Sequence, residues 1–247
     1  MNLIILAAGT GQRLLPLTKN TPKSLINLGD GTTLLDRQIN NASSSGKIDT
    51  IYIITGYKSF KIEDHISKLK MDIPIHTIFN PYYDMSNNLF SLWCAHYIME
   101  EDDFIISNGD NIYKHTIYPQ ITEPQTPTIQ LTIDRKQHYD QDDMKVMLKH
   151  DRVRLVSKEI DIDKTDAESV GLVLIQGKEQ RKLVRKKILK MVQYKENMQK
   201  FWLEIFNSLV ADDIEINVCE IEESDWGEID FHPDIEQIQY EISKNLF

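Results

Sequence analysis

The sequence predicts an α/β protein: one Rossmann-like, three-layer α/β/α domain over residues 1–247, with a mostly parallel central sheet and a small antiparallel subsheet. Three observations predict it. Short β-branched runs alternate with segments of helical spacing through the first half of the chain. The opening run, residues 3–6, is apolar at every position, which is typical of a parallel strand buried on both faces. From Thr126 the pattern changes to short strands around a turn at His150 and Asp151, which indicates antiparallel pairing.

The first half of the chain alternates strands and helices in the order of a parallel sheet with right-handed crossovers. Thr32 or Thr33 can cap the first helix, and Ser86 can cap the third. The predicted strands there are residues 3–6, 50–55, 73–79 and 104–106, and the predicted helices are residues 34–39, 62–69 and the run after residue 86. In the second half we predict strands at residues 128–133, 144–149, 153–157, 170–175 and 214–219, and helices at residues 179–193, 197–210 and after residue 234.

The composition indicates a folded protein with excess negative charge. Hydrophobic residues make up 41% of the 247 residues, and 38 acidic against 28 basic residues give a net charge of −10. That charge opposes non-specific nucleic-acid binding, and the basic run in the helix at 179–193 lacks the interleaved aromatic residues of a base-stacking surface. No apolar run approaches the roughly 18 residues of a membrane span, and no basic leader precedes the first strand.

We therefore expect a cytoplasmic protein that binds neither nucleic acid nor membrane. Both a monomer and a homodimer are compatible with the sequence. Cys94 and Cys219 each stand in an apolar run, and we expect them to be buried free thiols in a reducing compartment.

The stretch after the first strand has the composition of an anion-binding loop. Glycine has no Cβ, so Gly9 and Gly11 allow the backbone to approach a phosphate, and successive N–H groups can donate to its oxygens. Arg13 adds a bidentate guanidinium and Lys23 adds a mobile point charge, which together suggest a polyphosphate. The candidate nucleotide-binding residues are Leu6, Ala7, Ala8, Gly9, Thr10 and Gly11.

Two common glycine-rich motifs do not fit this loop. The dinucleotide fingerprint needs a third glycine where Leu14 stands, and Pro16 soon interrupts any helix. A P-loop ends in Gly-Lys-Ser or Gly-Lys-Thr, and neither occurs here. The plain alternative is a tight turn that merely starts a Rossmann-like domain.

Carboxylates occur at two distant places where a metal site can form. Asp110 follows Gly109 just after a buried strand, which is where Mg²⁺ ligands stand in phosphoryl-transfer sites. Glu228 and Asp230 lie two positions apart in a strand-like piece, so both point to the same face. Together the three carboxylates can supply a metal site around a triphosphate.

A second loop follows the predicted strand at 73–79. Because the carboxyl ends of parallel strands share one edge of the sheet, this loop is expected beside the first, where Tyr83 and Asn87 can reach a ligand. In the alternative interpretation Ser86 and the neighbouring asparagines only cap a helix, and Trp93 only fills the core.

The first 25 residues resemble the signature of a known family. Residues 6–25 match L-A-A-G-x-G-x-R-L-x-P-L-T-x-x-x-P-K-S-L, the pattern of the nucleoside-diphosphate-sugar pyrophosphorylase-like nucleotidyltransferases, at nearly every fixed position. The tail at residues 226–234, W-x-E-I-D-x-x-x-D, resembles the cytidylyltransferase branch, which includes choline-phosphate, 2-aminoethylphosphonate and inositol-phosphate cytidylyltransferases. The middle of the chain resembles that branch at Asn80, Tyr83, Asn87 and Ser91, at residues 143–146, at Ser157 and Lys158, and at residues 168–171.

The resemblance implies a nucleotidyltransferase domain that transfers the cytidylyl group of CTP to a small phosphomonoester or phosphonate and releases pyrophosphate. It implies that residues 8–11 hold the nucleotide, that Arg13 neutralises the leaving phosphates and that Lys23 lies against the α-phosphorus. Asp110 and Asp230 would hold Mg²⁺. An already anionic acceptor oxygen attacks in line, so alignment and charge neutralisation do the catalytic work.

The acceptor is expected to be phosphocholine, 2-aminoethylphosphonate or a phosphorylated amino acid such as glutamine phosphate, for the decoration of a surface polymer or a lipid headgroup. Aromatic side chains suit an ammonium head through cation–π contacts of about 0.5–2 kcal/mol each, although aromatic residues more often belong to the core. In the alternative interpretation, Lys145 and Lys158 of the antiparallel part are solvated surface groups. The candidate acceptor-binding residues are Tyr83, Asn87, Trp93, Lys145, Lys158, Glu168, Trp226 and Glu228.

Two other functions remain open at this point. A sugar 1-phosphate nucleotidyltransferase that uses UTP or dTTP would share the first motif, but the shorter chain and the tail at residues 226–234 argue against it. A non-catalytic, nucleotide-sensing subunit would be expected to lack Lys23 or the metal carboxylates, and all of them are present.

Overall fold

A computed structural model describes residues 1–124 and 126–244. The strands are β1 (Asn2–Ala7), β2 (Thr50–Thr55), β3 (Ile75–Phe79), β4 (Phe104–Asn108), β5 (Asn111–Tyr113), β6 (Thr128–Asp134), β7 (Lys145–Lys149), β8 (Arg152–Ser157), β9 (Ala167–Gln176), β10 (Asn217–Glu220) and β11 (Trp226–Glu228). The helices are α1 (Leu34–Ser44), α2 (Ser59–Ile66), α3 (Asn88–Cys94), α4 (Ile117–Ile121), α5 (Lys178–Met191), α6 (Glu204–Val210) and α7 (His232–Ser243).

Nine strands form one sheet in the order β3-β2-β1-β4-β9-β6-β10-β8-β7, and β5 pairs with β11 in a second sheet. Strands β3, β2, β1 and β4 are parallel neighbours, whereas β9 runs antiparallel to both β4 and β6. The predicted α/β fold class is thus confirmed. Strands β5 and β11 form the small antiparallel sheet, whereas the antiparallel strands β7 and β8 extend the main sheet, because β7 also pairs with β9 and β8 pairs with β10.

Successive side chains of β1 point to opposite faces of the sheet, so helices pack on both faces and form three layers. Leu3 and Ile5 enter one core cluster, on the side of α1 and α4, while Ile4 and Leu6 enter another, on the side of α3, α5 and α6. Full burial of an aliphatic side chain contributes about 1.5–3 kcal/mol, so a strand that is apolar at each of these positions stabilises both interfaces. This is the physical reason why residues 3–6 lack the polar alternation of a half-exposed strand.

A third, smaller core holds the first loop to the end of the chain. Leu14 from the loop and Leu34 from the start of α1 pack with Ile112 of β5. Ile229, directly after β11, and Ile238 of α7 complete the contact. These side chains fasten the two-stranded sheet and α7 beside the glycine loop.

Several local predictions are confirmed. Strand β2 has the predicted bounds, and Thr33 caps α1 in a capping box with Asp36. His150 and Asp151 form the turn between β7 and β8, with φ angles of 53° and 54°. Such left-handed angles at both central residues suit a tight hairpin turn.

Two local predictions are wrong. Ser86 does not cap α3: its hydroxyl donates to the Tyr82 carbonyl at 2.7 Å, and Asn87 is the cap. The helix predicted at 197–210 begins only at residue 204, because the preceding segment docks on the start of α3. There the Asn87 N–H donates to the Met198 carbonyl at 2.8 Å, which satisfies a donor that the helix itself leaves unpaired.

Cys94 and Cys219 are free thiols, half-buried rather than fully buried, and burial raises the pKa of each to about 11. Within residues 1–124 and 126–244, no helix has the length and apolar character needed to cross a membrane.

Candidate active site

A cavity of about 910 Å³ opens at the carboxyl ends of the parallel strands β1 and β4. Its walls are the glycine loop after β1, the turn between β4 and β5, strand β11, the loop between β6 and β7, and residues 201–203. Open α/β sheets bind their ligands at this edge, because the loops that follow the strands converge there.

The glycine loop is fixed on one side and open on the other. Gly11 has a φ angle of +64°, and a Cβ built on it would lie 2.9 Å from the Thr18 methyl carbon, so a larger residue is strained there. The Thr18 hydroxyl donates to the Gly11 carbonyl at 2.7 Å. A Cβ on Gly9 would meet no atom within 4 Å, so its backbone faces open space in the cavity. This combination leaves room for a bound anion close to the main chain.

Lys23 lies at the centre of the cavity floor. Its Nζ donates to Asp110 Oδ2 at 2.8 Å and to Asp230 Oδ1 at 2.7 Å. Burial opposes the charged ammonium, but the attraction of the two carboxylates outweighs burial and raises the pKa of Lys23 to about 12. Lys23 is therefore a permanent cation at neutral pH.

Three carboxylates meet around this lysine. Oxygen atoms of Asp110, Glu228 and Asp230 all lie within 4.8 Å of one another. The pairing of β5 with β11 brings them together, since it sets Asn111 opposite Glu228, and the Ile229 N–H donates to the Asp110 carbonyl at 3.0 Å. Burial, followed by the charges of Asp110 and Asp230, raises the pKa of Glu228 well above its usual range.

This donor set fits a hard divalent cation. Carboxylate oxygens are the preferred ligands of Mg²⁺, and a close group of acidic side chains gains from a second positive charge beside Lys23. The turn that carries Asp110 packs directly on β1: a Cβ on Gly109 would lie 2.2 Å from the Leu6 carbonyl oxygen. The position of Asp110 is therefore set by contact between two backbones.

A chain of ion pairs crosses the mouth of the cavity. Arg13 Nη1 donates to Asp230 Oδ2 at 2.7 Å and to Asp142 Oδ2 at 2.9 Å. The other oxygen of Asp142 accepts from Lys158 Nζ at 2.7 Å. Burial alone would raise the pKa of Asp142, but Lys158 and Arg13 outweigh burial and lower it. One carboxylate thus bridges two cations, as a phosphate can.

The far wall of the cavity combines an aromatic ring with an ion pair. Lys136 pairs with Glu168, and its Nζ lies 5.6 Å from the centre of the Trp226 ring. Burial raises the pKa of Glu168 to about 7 although Lys136 acts in the opposite direction. Burial disfavours the charged form of Lys136, but Glu168 outweighs it and raises the pKa of Lys136. Trp226 Nε1 donates to Asp134 Oδ2 at 3.0 Å, which fixes the ring.

Most of the predicted site residues line this one cavity. They are Leu6, Ala7, Ala8, Gly9, Thr10, Gly11, Arg13, Lys23, Tyr83, Asn87, Asp110, Lys158, Glu168, Trp226, Glu228 and Asp230. Asn87 also caps α3 through its own side chain, so the capping interpretation and the cavity placement hold together. Glu228, a candidate for both the metal site and the acceptor site, lies within the carboxylate group around Lys23.

Two predicted acceptor residues lie elsewhere. Trp93 is packed against the core, where it stacks on His96 at 5.9 Å between ring centres and meets Phe90 edge-on. Lys145 is 1% exposed, and its ammonium donates to the Gln141 and Lys158 carbonyls at 2.9 and 2.8 Å. It thus supports the loop that carries Asp142 and does not reach the cavity, because backbone carbonyls satisfy its charge.

Sequence reasoning missed Asp142, Lys136 and Trp202. The acidic run at 140–143 hinted at a cluster, but a run of charges does not show which carboxylate turns inward. Trp202 fell inside a helix prediction, whereas its indole donates to Asn108 Oδ1 at 2.9 Å and lines the cavity beside β4.

Comparison with known proteins shows the family to which this chain belongs. Residues 2–142 match the family model described as nucleotidyl transferase, and the chain belongs to this family. Within it, the relatives include three kinds of cytidylyltransferase, so the predicted resemblance to that branch is confirmed.

The CTP:phosphoglutamine cytidylyltransferase of Campylobacter jejuni is 35% identical over 118 residues, which cover 46% of this chain and 45% of the relative. The choline-phosphate cytidylyltransferase of Streptococcus pneumoniae is 34% identical over 114 residues, 44% of this chain and 47% of the relative. The chain thus spans about half the length of these curated relatives.

Solved structures agree in fold over nearly the whole chain. The inositol-1-phosphate CTP transferase from T. maritima superposes with a TM-score of 0.79 at 18% identity, over 98% of this chain and 96% of that one. The CTP:phosphocholine cytidylyltransferase LicC from Streptococcus pneumoniae superposes with a TM-score of 0.76 at 21% identity, over 98% of each chain.

Proposed function

We propose that this chain is a Mg²⁺-dependent cytidylyltransferase that joins CTP to a small phosphomonoester or phosphonate and releases pyrophosphate. The observation that carries the proposal is the partly buried ammonium of Lys23 between Asp110 and Asp230, in the same cavity as an open glycine loop. The names of the relatives support CTP as the nucleotide, since cytidylyltransferases for three different acceptors are among them.

The proposed step is an in-line displacement at the α-phosphorus of CTP. An oxygen of the acceptor phosphate or phosphonate forms a new P–O bond, the bond from the α-phosphorus to the bridging oxygen breaks, and pyrophosphate leaves with the electron pair. The attacking oxygen is already anionic, so no proton has to be removed from it. The protein has only to align the two phosphates and to offset their repulsion.

Lys23 and Arg13 supply positive charge on two sides of this reaction. Lys23, held by its carboxylate partners, lies against the α-phosphate and offsets the charge that gathers on its oxygens. Arg13, at the mouth of the cavity, neutralises the β- and γ-phosphates as they become pyrophosphate. Ion pairs with Asp110 and Asp230 hold both groups at the cavity, so their positive charges already lie where the phosphates would bind.

Asp110 and Asp230 would hold Mg²⁺, and Glu228 lies close enough to join them. When bound, the ion would offset charge on the triphosphate. The chain's own contribution is to hold two carboxylates close together at the cavity. Asp110 comes from the turn before β5, and Asp230 follows β11.

We propose that the acceptor lies in the same cavity, where Tyr83, Glu168 and Trp226 are among the lining residues. We propose that residues 1–247 act as one domain in the cytoplasm, and that the activated product serves to decorate a surface polymer or a lipid headgroup.

The test is pyrophosphate release with Mg²⁺ from each of CTP, UTP, dTTP, ATP and GTP, against phosphocholine, 2-aminoethylphosphonate, glutamine phosphate, inositol 1-phosphate and glucose 1-phosphate. We expect release with CTP and one small acceptor, loss of release in EDTA, and loss in Asp110→Asn. Release only from UTP or dTTP with glucose 1-phosphate would replace the proposal with a sugar nucleotidyltransferase. A melting temperature raised by CTP without any turnover would favour a nucleotide-sensing subunit.

A further inference from the structure

The face of Trp226 is already occupied by a cation. Lys136 Nζ lies 5.6 Å from the centre of the ring, within the distance at which a cation and an aromatic face attract. The ring cannot turn away easily, because its Nε1 donates to Asp134 Oδ2 at 3.0 Å and the side chain is buried. The aromatic position that an acceptor ammonium would be expected to use is thus filled by the chain itself.

The same ammonium is also held by carboxylates. Lys136 forms an ion pair with Glu168 and lies 3.7 Å from Asp143 Oδ2. The pairing of β6 with β9 sets Glu168 opposite Asp134, so the carboxylate and the lysine two residues further on are brought together by the sheet. The side chain of Glu168 is only 4% exposed, which means that its charge needs a partner in the unliganded protein.

This arrangement bears on which acceptors can enter. A trimethylammonium head would find the ring face taken and would meet the like charge of Lys136, which lies between that face and the Glu168 carboxylate. An acceptor with an ammonium and a carboxylate can instead exchange partners with the ion pair: its carboxylate takes Lys136 and its ammonium takes Glu168. All the groups involved line the cavity, so no rearrangement of the fold is needed.

We propose, on the basis of the function proposed above, that Lys136 is a specificity-determining residue. It selects phosphorylated or phosphonate acceptors whose far end is an α-amino-acid zwitterion, and it disfavours acceptors that end in a lone quaternary ammonium. The observation behind this assignment is the resident ammonium between Trp226 and Glu168.

The test uses two ligands that differ in a single carboxylate. O-phosphoserine is phosphoethanolamine with an added carboxylate, so the ratio of their dissociation constants isolates that group. We measure both by calorimetry on the full chain with an α,β-methylene analogue of CTP, and add phosphocholine as the quaternary ammonium. In the wild type we expect O-phosphoserine to bind about tenfold more tightly than phosphoethanolamine, as for one well-placed charge pair in a desolvated site.

Lys136→Met keeps the length of the side chain and removes its charge. The ratio should fall to about one, and phosphocholine should bind more tightly than in the wild type. Lys136→Arg should retain the preference, and Lys186→Met, on an exposed position of α5, should leave every constant unchanged. If Lys136→Met does not fold, Lys136→Met with Glu168→Gln removes both charges and leaves no buried carboxylate unpaired.

The inference is overturned if the wild type binds phosphoethanolamine or phosphocholine as tightly as O-phosphoserine, if it binds none of the three, or if the ratio survives in Lys136→Met. Pyrophosphate release measured on the same samples with CTP reports separately on the proposed function. A tenfold ratio without turnover would support the role of Lys136 and count against cytidylyl transfer.

Discussion

Lys23 and Asp110 are 87 positions apart in the chain, yet Nζ of the lysine donates to Oδ2 of the aspartate at 2.8 Å. The parallel pairing of β1 with β4 produces this contact, because the loops that follow the two strands leave the sheet at the same edge. The site thus contains a charged centre built from residues that follow two neighbouring parallel strands.

Replacing Lys23 tests the importance of this centre. Lys23→Ala should lower kcat by at least about 10²–10³-fold, the usual cost of removing one donor aimed at developing charge. The matched control is Lys19→Ala, at an exposed position of a neighbouring turn. Pyrophosphate release measures turnover, and a melting curve checks the fold. Turnover near that of the wild type in Lys23→Ala would contradict the assigned site.

Asp142 pairs with two cations, Arg13 and Lys158, that we propose bind phosphate. In the free protein its oxygens bind Arg13 and Lys158, so a ligand must first displace a carboxylate. Removing that charge in Asp142→Asn should tighten pyrophosphate binding by about three- to tenfold, since a larger share of the protein is ready to bind. Calorimetry with pyrophosphate and Mg²⁺ measures the change, and Asp163→Asn, outside the cavity, is the control. Weaker binding in Asp142→Asn would mean that Asp142 serves to position the cations.

An added methyl group should affect stability differently at two glycines of the cavity, Gly109 and Gly9. A Cβ on Gly109 would lie 2.2 Å from the Leu6 carbonyl oxygen, so Gly109→Ala must move either β1 or the turn before Asp110. We expect a loss of about 1–3 kcal/mol in the free energy of unfolding, as for other overpacked sites. A Cβ on Gly9 meets nothing within 4 Å, so Gly9→Ala should unfold at the same urea concentration as the wild type. Equal stability of the two variants would be inconsistent with this packing.

Glu168 should make stability depend on pH. Burial raises its pKa in the folded protein to about 7, above the ordinary value of 4.5 for glutamate, so folding favours the protonated acid. This contribution is fully present below pH 4.5 and is lost as the pH rises through 7. Glu168→Gln should therefore gain stability relative to the wild type between pH 4.5 and pH 7.5, as measured by urea unfolding at intervals of one pH unit.

The control for this experiment is Glu236→Gln, at an exposed position of α7. Its stability difference from the wild type should stay constant over the same pH range. A flat difference for Glu168→Gln as well would show that Lys136 compensates the burial of the carboxylate at every pH.

Much of the fold could be predicted because its signals are local. The uniform apolar run of β1, the cap at Thr33 and the turn at His150 each depend on a few adjacent residues, and each prediction agrees with the structure. The boundaries failed where distant backbone competes for hydrogen bonds. Met198 and Trp202 form hydrogen bonds with residues at the start of α3. These bonds hold the first part of the predicted helix at 197–210 in a non-helical conformation.

Residue patterns along the chain predicted the class of the fold, the glycine loop with its two cations and the acidic residues at two places in the chain. Residue type and spacing suffice for these features, because each is a pattern of a few residues within one short stretch of the chain. Only the tertiary structure decided which charges meet. The contact of Asp142 with Arg13 and the ammonium on the face of Trp226 join side chains that are distant in sequence, and Lys145 is buried against backbone carbonyls that its residue type does not predict. Their partners are fixed by strand pairing and packing, which no local pattern encodes.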